Sequence, residues 1–347
     1  MNEDGHVSIS RRGLLAAGLA VAVVGTIGVV STINAGAAET PAAPPAAPAA
    51  AAPAPPSLLP WGATPRRIKK GKSGASSSAL AASGASAADS RKEDVTPFGP
   101  KGESRRSGVL KKSKTAVPPL APSSEPVTAT GEVDYLYTVG KQAAKVDGVA
   151  ALLTVAQPKV AAEDWHSLAE IAVQSADGQQ VIEVGWNVDR NTNGDDSTHL
   201  FVYHWVDGKP TCYNTCDFVP YAGASITPGA TLATDVIKPF GIQYSSGNWW
   251  IAYDSEWIGS IPDKVWTSGF TQGGLVQVFG EVAASSTKPC TQMGNGKTPD
   301  DTTAAKISSV TYVNGPTVAL TVSQTSTVYA TTQTTDRTFR YGGPGAC

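Results

Sequence analysis

The sequence predicts an all-β fold, an antiparallel β-sandwich of two packed sheets with a jelly-roll-like arrangement. Three observations predict it. From about Gly131 onward, short runs of β-branched and aromatic residues follow one another. Turn signals separate them, at Asp177-Gly178, Asn193-Gly194, Asp207-Gly208, Gly247-Asn248 and Asn314-Gly315. Only one stretch, near Asp263–Thr267, reads as a helix, and it is short. The predicted domain, 128–347, is long enough for one sizeable core.

The chain begins differently. Ser10-Arg11-Arg12-Gly13-Leu14-Leu15 precedes an apolar run to about Val30, and Ala35-Gly36-Ala37 offers a small-residue cleavage site. Residues 1–37 therefore read as a twin-arginine-type export signal, which predicts a secreted, extracellular protein that meets the membrane only during export. An uncleaved membrane anchor is the alternative, because the apolar run is near spanning length. Residues 38–127 read as a linker followed by a basic, propeptide-like segment. Pro41 to Pro56 is almost only alanine and proline, an extended spacer. Trp61 to Pro126 is rich in serine, glycine and alanine, with basic clusters at Arg66 to Lys70 and Arg105 to Lys114, and its composition predicts no packed structure.

Charge divides at the same boundary. Residues 1–127 hold 15 Lys+Arg and 8 Asp+Glu, net +7, and residues 128–347 hold 12 and 21, net −9. Opposite charges on one chain predict that the basic segment associates with the domain as its own inhibitor, or else that it simply stays extended. Nucleic acid is excluded as a partner, because the folded part is acidic.

Strands are expected at Val149–Gln157, Leu168–Gln174, Gln180–Asp189, Leu200–Val206, Gly241–Ser245, Asn248–Asp254, Leu275–Val282, Ile307–Val313 and Thr325–Thr331. Two of them carry a glutamate among apolar neighbours. Strand alternation places Ile182, Val184, Trp186 and Val188 on one face and Glu183, Gly185 and Asn187 on the other. Likewise Val276, Val278, Gly280 and Val282 oppose Gln277, Phe279 and Glu281. If the apolar faces form the core, Glu183 and Glu281 project from equivalent surfaces. Two carboxylates on one sheet face suit acid/base chemistry at a water molecule. The plain alternative is a pair of solubilising residues on a wet face. Gln277 and Asn187 share the glutamate faces and are candidate donors to an oxyanion.

Seven of the eight tryptophans fall after residue 160. Trp249 and Trp250 are adjacent in one strand and cannot both face the core, so one is expected beside the glutamates. With Tyr203 they are candidates for a substrate wall. The four cysteines, Cys212, Cys216, Cys290 and Cys347, read as disulfides in an exported chain, with Cys212–Cys216 and Cys290–Cys347 the favoured pairing and a zinc site the rival. No cofactor and no metal are expected. There is no Gly-x-Ser-x-Gly elbow and no His-Glu-x-x-His. His199 and His204 differ in strand parity and make a poor metal pair. Asp189 to Asp196 has the composition of a calcium loop but no closing glutamate, and reads as a solvated hairpin loop.

Taken in order, several motifs resemble the neprosin family of glutamic peptidases. They are Ile182-Glu183-Val184-Gly185-Trp186, Phe201-Val202-Tyr203, Asp207-Gly208, Thr211-Cys212-Tyr213-Asn214, Gly247-Asn248-Trp249-Trp250, Ile258-Gly259, Gly280-Glu281-Val282, Thr291 to Gly296 and Tyr341 to Gly345. The likeness covers roughly Asp134 to Cys347. It implies a sandwich with a concave cleft, catalytic glutamates at Glu183 and Glu281, and endopeptidase activity at acidic pH, often after proline. Protein or peptide substrates, some proline-rich, follow from it. Paired carboxylates also serve glycosidases, and the tryptophans would suit a carbohydrate or cell-wall binding module.

Overall fold

The computed structural model describes residues 53–68, 103–104, 110–111, 114–116 and 132–347, all within the compact unit Ala52–Cys347. The expected export signal and most of the expected linker and basic segment lie outside the described residues.

In chain order the strands are β1 (Glu103–Ser104), β2 (Leu110–Lys111), β3 (Lys114–Ala116), β4 (Glu132–Val146), β5 (Gly148–Val155) and β6 (His166–Gln174). Next come β7 (Val181–Asp189), β8 (His199–Val206), β9 (Lys209–Pro210), β10 (Val219–Pro220), β11 (Val236–Ser245) and β12 (Asn248–Tyr253). The last are β13 (Glu256–Pro262), β14 (Gly273–Ala284), β15 (Lys306–Val313), β16 (Thr321–Gln324), β17 (Ala330–Thr335) and β18 (Thr338–Gly342). Sheet I runs β16-β4-β14-β6-β7-β8-β9, with β3 also on β4, and sheet II runs β10-β13-β12-β11-β5-β15-β18-β17. β1 and β2 pair only with each other. The fold is the predicted antiparallel sandwich.

The core between the sheets follows the predicted alternation. Ile182, Val184 and Trp186 of β7, Val276, Val278 and Val282 of β14, and Ile242, Trp249 and Ile251 of sheet II are all buried in one apolar cluster. The side chains on the opposite face of sheet I are also buried, in a second cluster that includes Tyr137, Leu168, Phe201, Tyr203, Trp205 and Phe279. The glutamate face is therefore not the solvated surface of the alternative reading.

The elements differ from the sequence expectation at several places. β4 was not anticipated, because Gly140, Ala143 and its lysines blur the apolar alternation. β13 and β18 were likewise missed. The strand expected at Thr325–Thr331 is a corner: β16 ends at Gln324 in sheet I and β17 starts at Ala330 in sheet II, with Tyr329 buried in the core where the chain crosses. The expected helix is a 3₁₀ turn, Asp263–Val265. A second turn, α1 (Arg190–Asn193), occupies the loop read as solvated, and its Thr192 and Asn193 are buried.

Residues 53–68, for which composition predicts no packed structure, lie against the outer face of sheet II. Leu59 is buried with Trp250, Ala252 and Trp257, and Trp61 packs beside them. The Trp257 indole donates to the Pro56 carbonyl at 2.9 Å, and the Arg66 amide donates to the Ser255 carbonyl at 2.6 Å. A run of three large apolar residues within four positions is enough to anchor an otherwise alanine- and proline-rich segment. Leu59→Ala should weaken this docking by about 2 kcal/mol, the low end for a buried leucine. Hydrogen exchange at the Gly62 and Arg66 amides should then run about 30-fold faster. Unchanged exchange would show that Leu59 does not hold the segment.

Both favoured disulfides are present, Cys212–Cys216 with Cα atoms 5.5 Å apart and Cys290–Cys347 with Cα atoms 5.0 Å apart. The second ties down the last residue, helped by the Ala346 amide donating to the Pro289 carbonyl. Among the described residues no helix is long and apolar enough to cross a membrane.

Candidate active site

The topology brings the two glutamates to one sheet. β6, β7 and β8 form a meander of consecutive strands, and β14 returns to pair with the free edge of β6. Glu183 of β7 lies opposite Ala172 of β6, and Ala172 lies opposite Gln277 of β14. Glu281 of β14 lies opposite Leu168, which lies opposite Asn187 of β7. Both glutamates belong to the face turned away from the sheet–sheet core, as alternation predicted, and β6 alone separates their strands. In a flat sheet this register puts their Cα atoms about 10 Å apart across the strands and about 13 Å along them.

Each glutamate faces an amide across β6. Gln277 faces Glu183 over the small Ala172, and Asn187 faces Glu281 over Leu168. Asn187 Oδ1 accepts a hydrogen bond from Asn193 Nδ2 at 2.9 Å, which fixes the amide's orientation. Asn187 Nδ2 and both polar atoms of Gln277 are buried without a hydrogen-bond partner among the described residues. Buried amides in that state are costly.

Glu183, Glu281, Gln277, Asn187 and Tyr203 are each 0 % exposed. Tyr203 of β8 lies opposite Glu183, so this expected wall residue stands at the site. Trp249 and Trp250 do not. They belong to sheet II, Trp249 in the inter-sheet core and Trp250 beneath Leu59 on the outer face. The alternation argument was sound in requiring that the pair split between two faces. It could not say that their strand belongs to the other sheet.

Four participants were not anticipated. Trp205 of β8 donates its indole N–H to Glu183 Oε1 at 2.9 Å. His166 of β6 places Nε2 2.7 Å from Glu281 Oε1 and Nδ1 3.2 Å from Asp189 Oδ2. Asp189 is also the N-cap of α1, accepting from the amides of Asn191 and Thr192 at 2.9 and 3.0 Å. Glu170 of β6 lies opposite Gly185 and Phe279, in the row between the two glutamates. It is the diagonal neighbour of both, about 7–8 Å from each. The signal for Glu170 was the one used for the other two, a carboxylate within an apolar strand. His166 shares its parity.

Burial alone would push the His166 imidazole down, but the hydrogen bonds and charges of Asp189 and Glu281 outweigh it and raise the value to about 9. The other domain histidines are engaged elsewhere. His199 holds the Gly229 carbonyl and Asp195. His204, on the core side of β8, is pushed down to about 4 by burial, against the pull of Asp217.

Residues 163–344 match the family described as Neprosin. No curated protein gives a match. Among solved structures the chain is similar to scytalido-glutamic peptidase, with a TM-score of 0.41 and 11% identity over 61% of this chain and 99% of that one. It is similar to SCP-B, a member of the Eqolisin family of peptidases, with a TM-score of 0.33 and 10% identity over 61% and 99%. It is also similar to CG-16, a homodimeric agglutinin from chicken liver, with a TM-score of 0.27 and 10% identity over 43% and 96%. Likenesses this distant carry no functional weight.

Proposed function

Because the chain belongs to the Neprosin family, we propose that it is a secreted glutamic endopeptidase that works at acidic pH, with Glu183 and Glu281 as its catalytic pair. The observation that carries the reading is their joint placement on one buried sheet face, each with its own hydrogen-bond donor and each opposite an amide. One carboxylate takes a proton from water as the water oxygen bonds to the scissile carbonyl carbon. The other gives its proton to the amine as the C–N bond breaks, and the two then return to their starting states by proton exchange with solvent. Asn187 Nδ2 and Gln277 Nε2 are the donors offered to the developing oxyanion. Tyr203 forms part of the substrate wall. Cleavage after proline is the preference we propose, resting on the family resemblance.

The test is incubation at about pH 3–5, around the ordinary glutamate range, with a proline-rich protein and, separately, with polysaccharides. Peptide fragments support the peptidase. Sugar release would point to a glycosidase, and retention on polysaccharide without either product to a binding module.

The basic N-terminal segment is proposed to hold the enzyme latent. Both glutamates are fully buried, so substrate reaches them only if something leaves that face. The charges of segment and domain are opposite, and acid weakens such attraction by protonating carboxylates. Replacing Arg105, Arg106, Lys111 and Lys112 together by Gln should move the onset of activity of the exported chain to higher pH. An unchanged onset would remove charge attraction as the latch.

A further inference from the structure

We propose that the outer face of sheet II is a binding groove for proline-rich polypeptide. Residues 53–61 are its resident ligand, and proline-rich segments of other proteins take the groove when the resident one lifts off. The groove is separate from the glutamate face, and binding there does not depend on the peptidase reading.

Three neighbouring strands build it. Gly241 of β11 lies opposite Ala252 of β12, and Ala252 lies opposite Trp257 of β13. Two small residues beside an indole leave a trough in the sheet surface. Trp250, two positions from Ala252 and so on the same face of β12, forms a wall. The two indoles meet edge to face with ring centroids 6.3 Å apart, and Tyr221 stands edge-on to Trp250 at 6.2 Å. A Cβ at position 241 would come within 2.8 Å of Pro60 Cγ and 3.1 Å of Trp61, so the segment occupies the space that a side chain there would fill.

The chemistry of segment and groove matches. Pro53, Pro55 and Pro56 have no backbone N–H, and a proline run makes no hydrogen bonds within itself. Its carbonyls therefore need outside donors, and its rings need apolar surface. The Trp257 indole gives the donor, to the Pro56 carbonyl at 2.9 Å, and the aromatic walls give the surface. Leu59 is the anchor, 2 % exposed among Trp250, Ala252 and Trp257. Aromatic-lined grooves hold proline-rich segments in this way in general, and such segments cost little to order on binding. The Trp250 indole N–H is buried with no acceptor among the described residues, so the groove carries a second donor that the resident segment leaves unused.

Exposed apolar surface continues the same side of the molecule. The large apolar side chains exposed among the described residues are Leu58, Val219, Tyr221 and Ile237. Leu58 belongs to the segment, Val219 to β10 and Ile237 to β11, and Tyr221 adjoins β10 against Trp250. Apolar surface gathered in this way is typical of an interaction site. The glutamates belong to the outer face of sheet I, so a polypeptide held here lies across the sandwich from them. For the peptidase proposed above, the groove retains a proline-rich substrate while another stretch of it is cut.

The test is fluorescence anisotropy of labelled peptides with the intact chain at about pH 7.5, above the carboxylate range. The first probe has the sequence of residues 53–61. The second is the same with Pro53, Pro55 and Pro56 replaced by alanine. The third has an unrelated sequence that keeps only those prolines and the leucine. Leu59→Ala loosens the resident segment, so this variant chain should bind the first probe about 30-fold more tightly than wild type. It should bind the third within about 10-fold of the first, and the second at least about 10-fold more weakly. Trp257→Phe added to Leu59→Ala keeps a ring but no donor, and should weaken the first probe about 10-fold. No binding of the first or third probe by the Leu59→Ala chain, or equal binding of the first and second, would overturn the proposal. So would a Leu59→Ala chain that sediments as a dimer and binds no probe, since the face would then be a contact between copies. If the Trp257→Phe chain does not fold, the three probes on the Leu59→Ala chain still decide. Peptide cleavage is assayed separately, so failure of the groove and failure of the glutamate pair are distinguishable.

Discussion

Replacing Glu183 or Glu281 with glutamine is expected to lower kcat/KM for peptide hydrolysis by about 10²–10⁴-fold, the range that positioned acid/base groups supply. Glutamine has the same shape, so Trp205 can still donate to position 183 and His166 can still donate to position 281. The fold should survive, because each change keeps the side chain's volume and removes only an ionisable group from a buried position. The unfolding midpoint should therefore stay close to wild type while activity disappears. The measurement is a paired one, peptide cleavage at acidic pH alongside thermal or denaturant unfolding. Substantial residual cleavage in a folded variant would mean that its glutamate is not catalytic. Loss of activity together with loss of fold would instead mark the side chain as structural, and the two outcomes are separable in the same preparation.

Gly185→Ala is expected to destabilise the domain by about 1–3 kcal/mol, the usual cost of overpacking, and to impair the site at the same time. A Cβ at this position would collide with the Ala169 carbonyl oxygen and sit 2.6 Å from Glu170 Cβ. The nearest of these is backbone, so β6 must move away from β7 to make room. Those two strands carry Glu170 and Glu183, and β6 also sets the register that faces Glu183 to Gln277 and Glu281 to Asn187. Here glycine marks the close approach of two strands rather than a turn. Denaturant unfolding measures the first effect, and kcat of the fraction that remains folded measures the second. An alanine variant within about 0.5 kcal/mol of wild type would show that the strands separate easily.

Much of this was legible in the residues. The strand runs and turn signals predicted the sandwich, and a period of two placed Glu183 and Glu281 on faces opposite the core. The cysteine pairing followed from the expectation of export and from the need to hold Cys347. What failed has physical causes. β4 is a 15-residue strand whose apolar alternation is interrupted, so its role comes from pairing with β14 and not from its own pattern. Trp249 and Trp250 were split between faces correctly, but which sheet a strand joins is decided by contacts far along the chain. No local pattern singles out His166, because its partners are 23 and 115 residues away.

The sequence by itself determined the fold class, the face of each side chain and the family likeness, because these depend on local alternation, turn chemistry and short ordered motifs. Only the tertiary structure decided which strands are neighbours. That decision put β6 between β7 and β14, so that Glu183, Glu170 and Glu281 share one buried face. It gave Glu281 an imidazole and Glu183 an indole, and it removed the paired tryptophans to the other sheet. The physical reason is that strand order is set by burial and hydrogen bonding over the whole chain, and no local pattern encodes those long-range pairings.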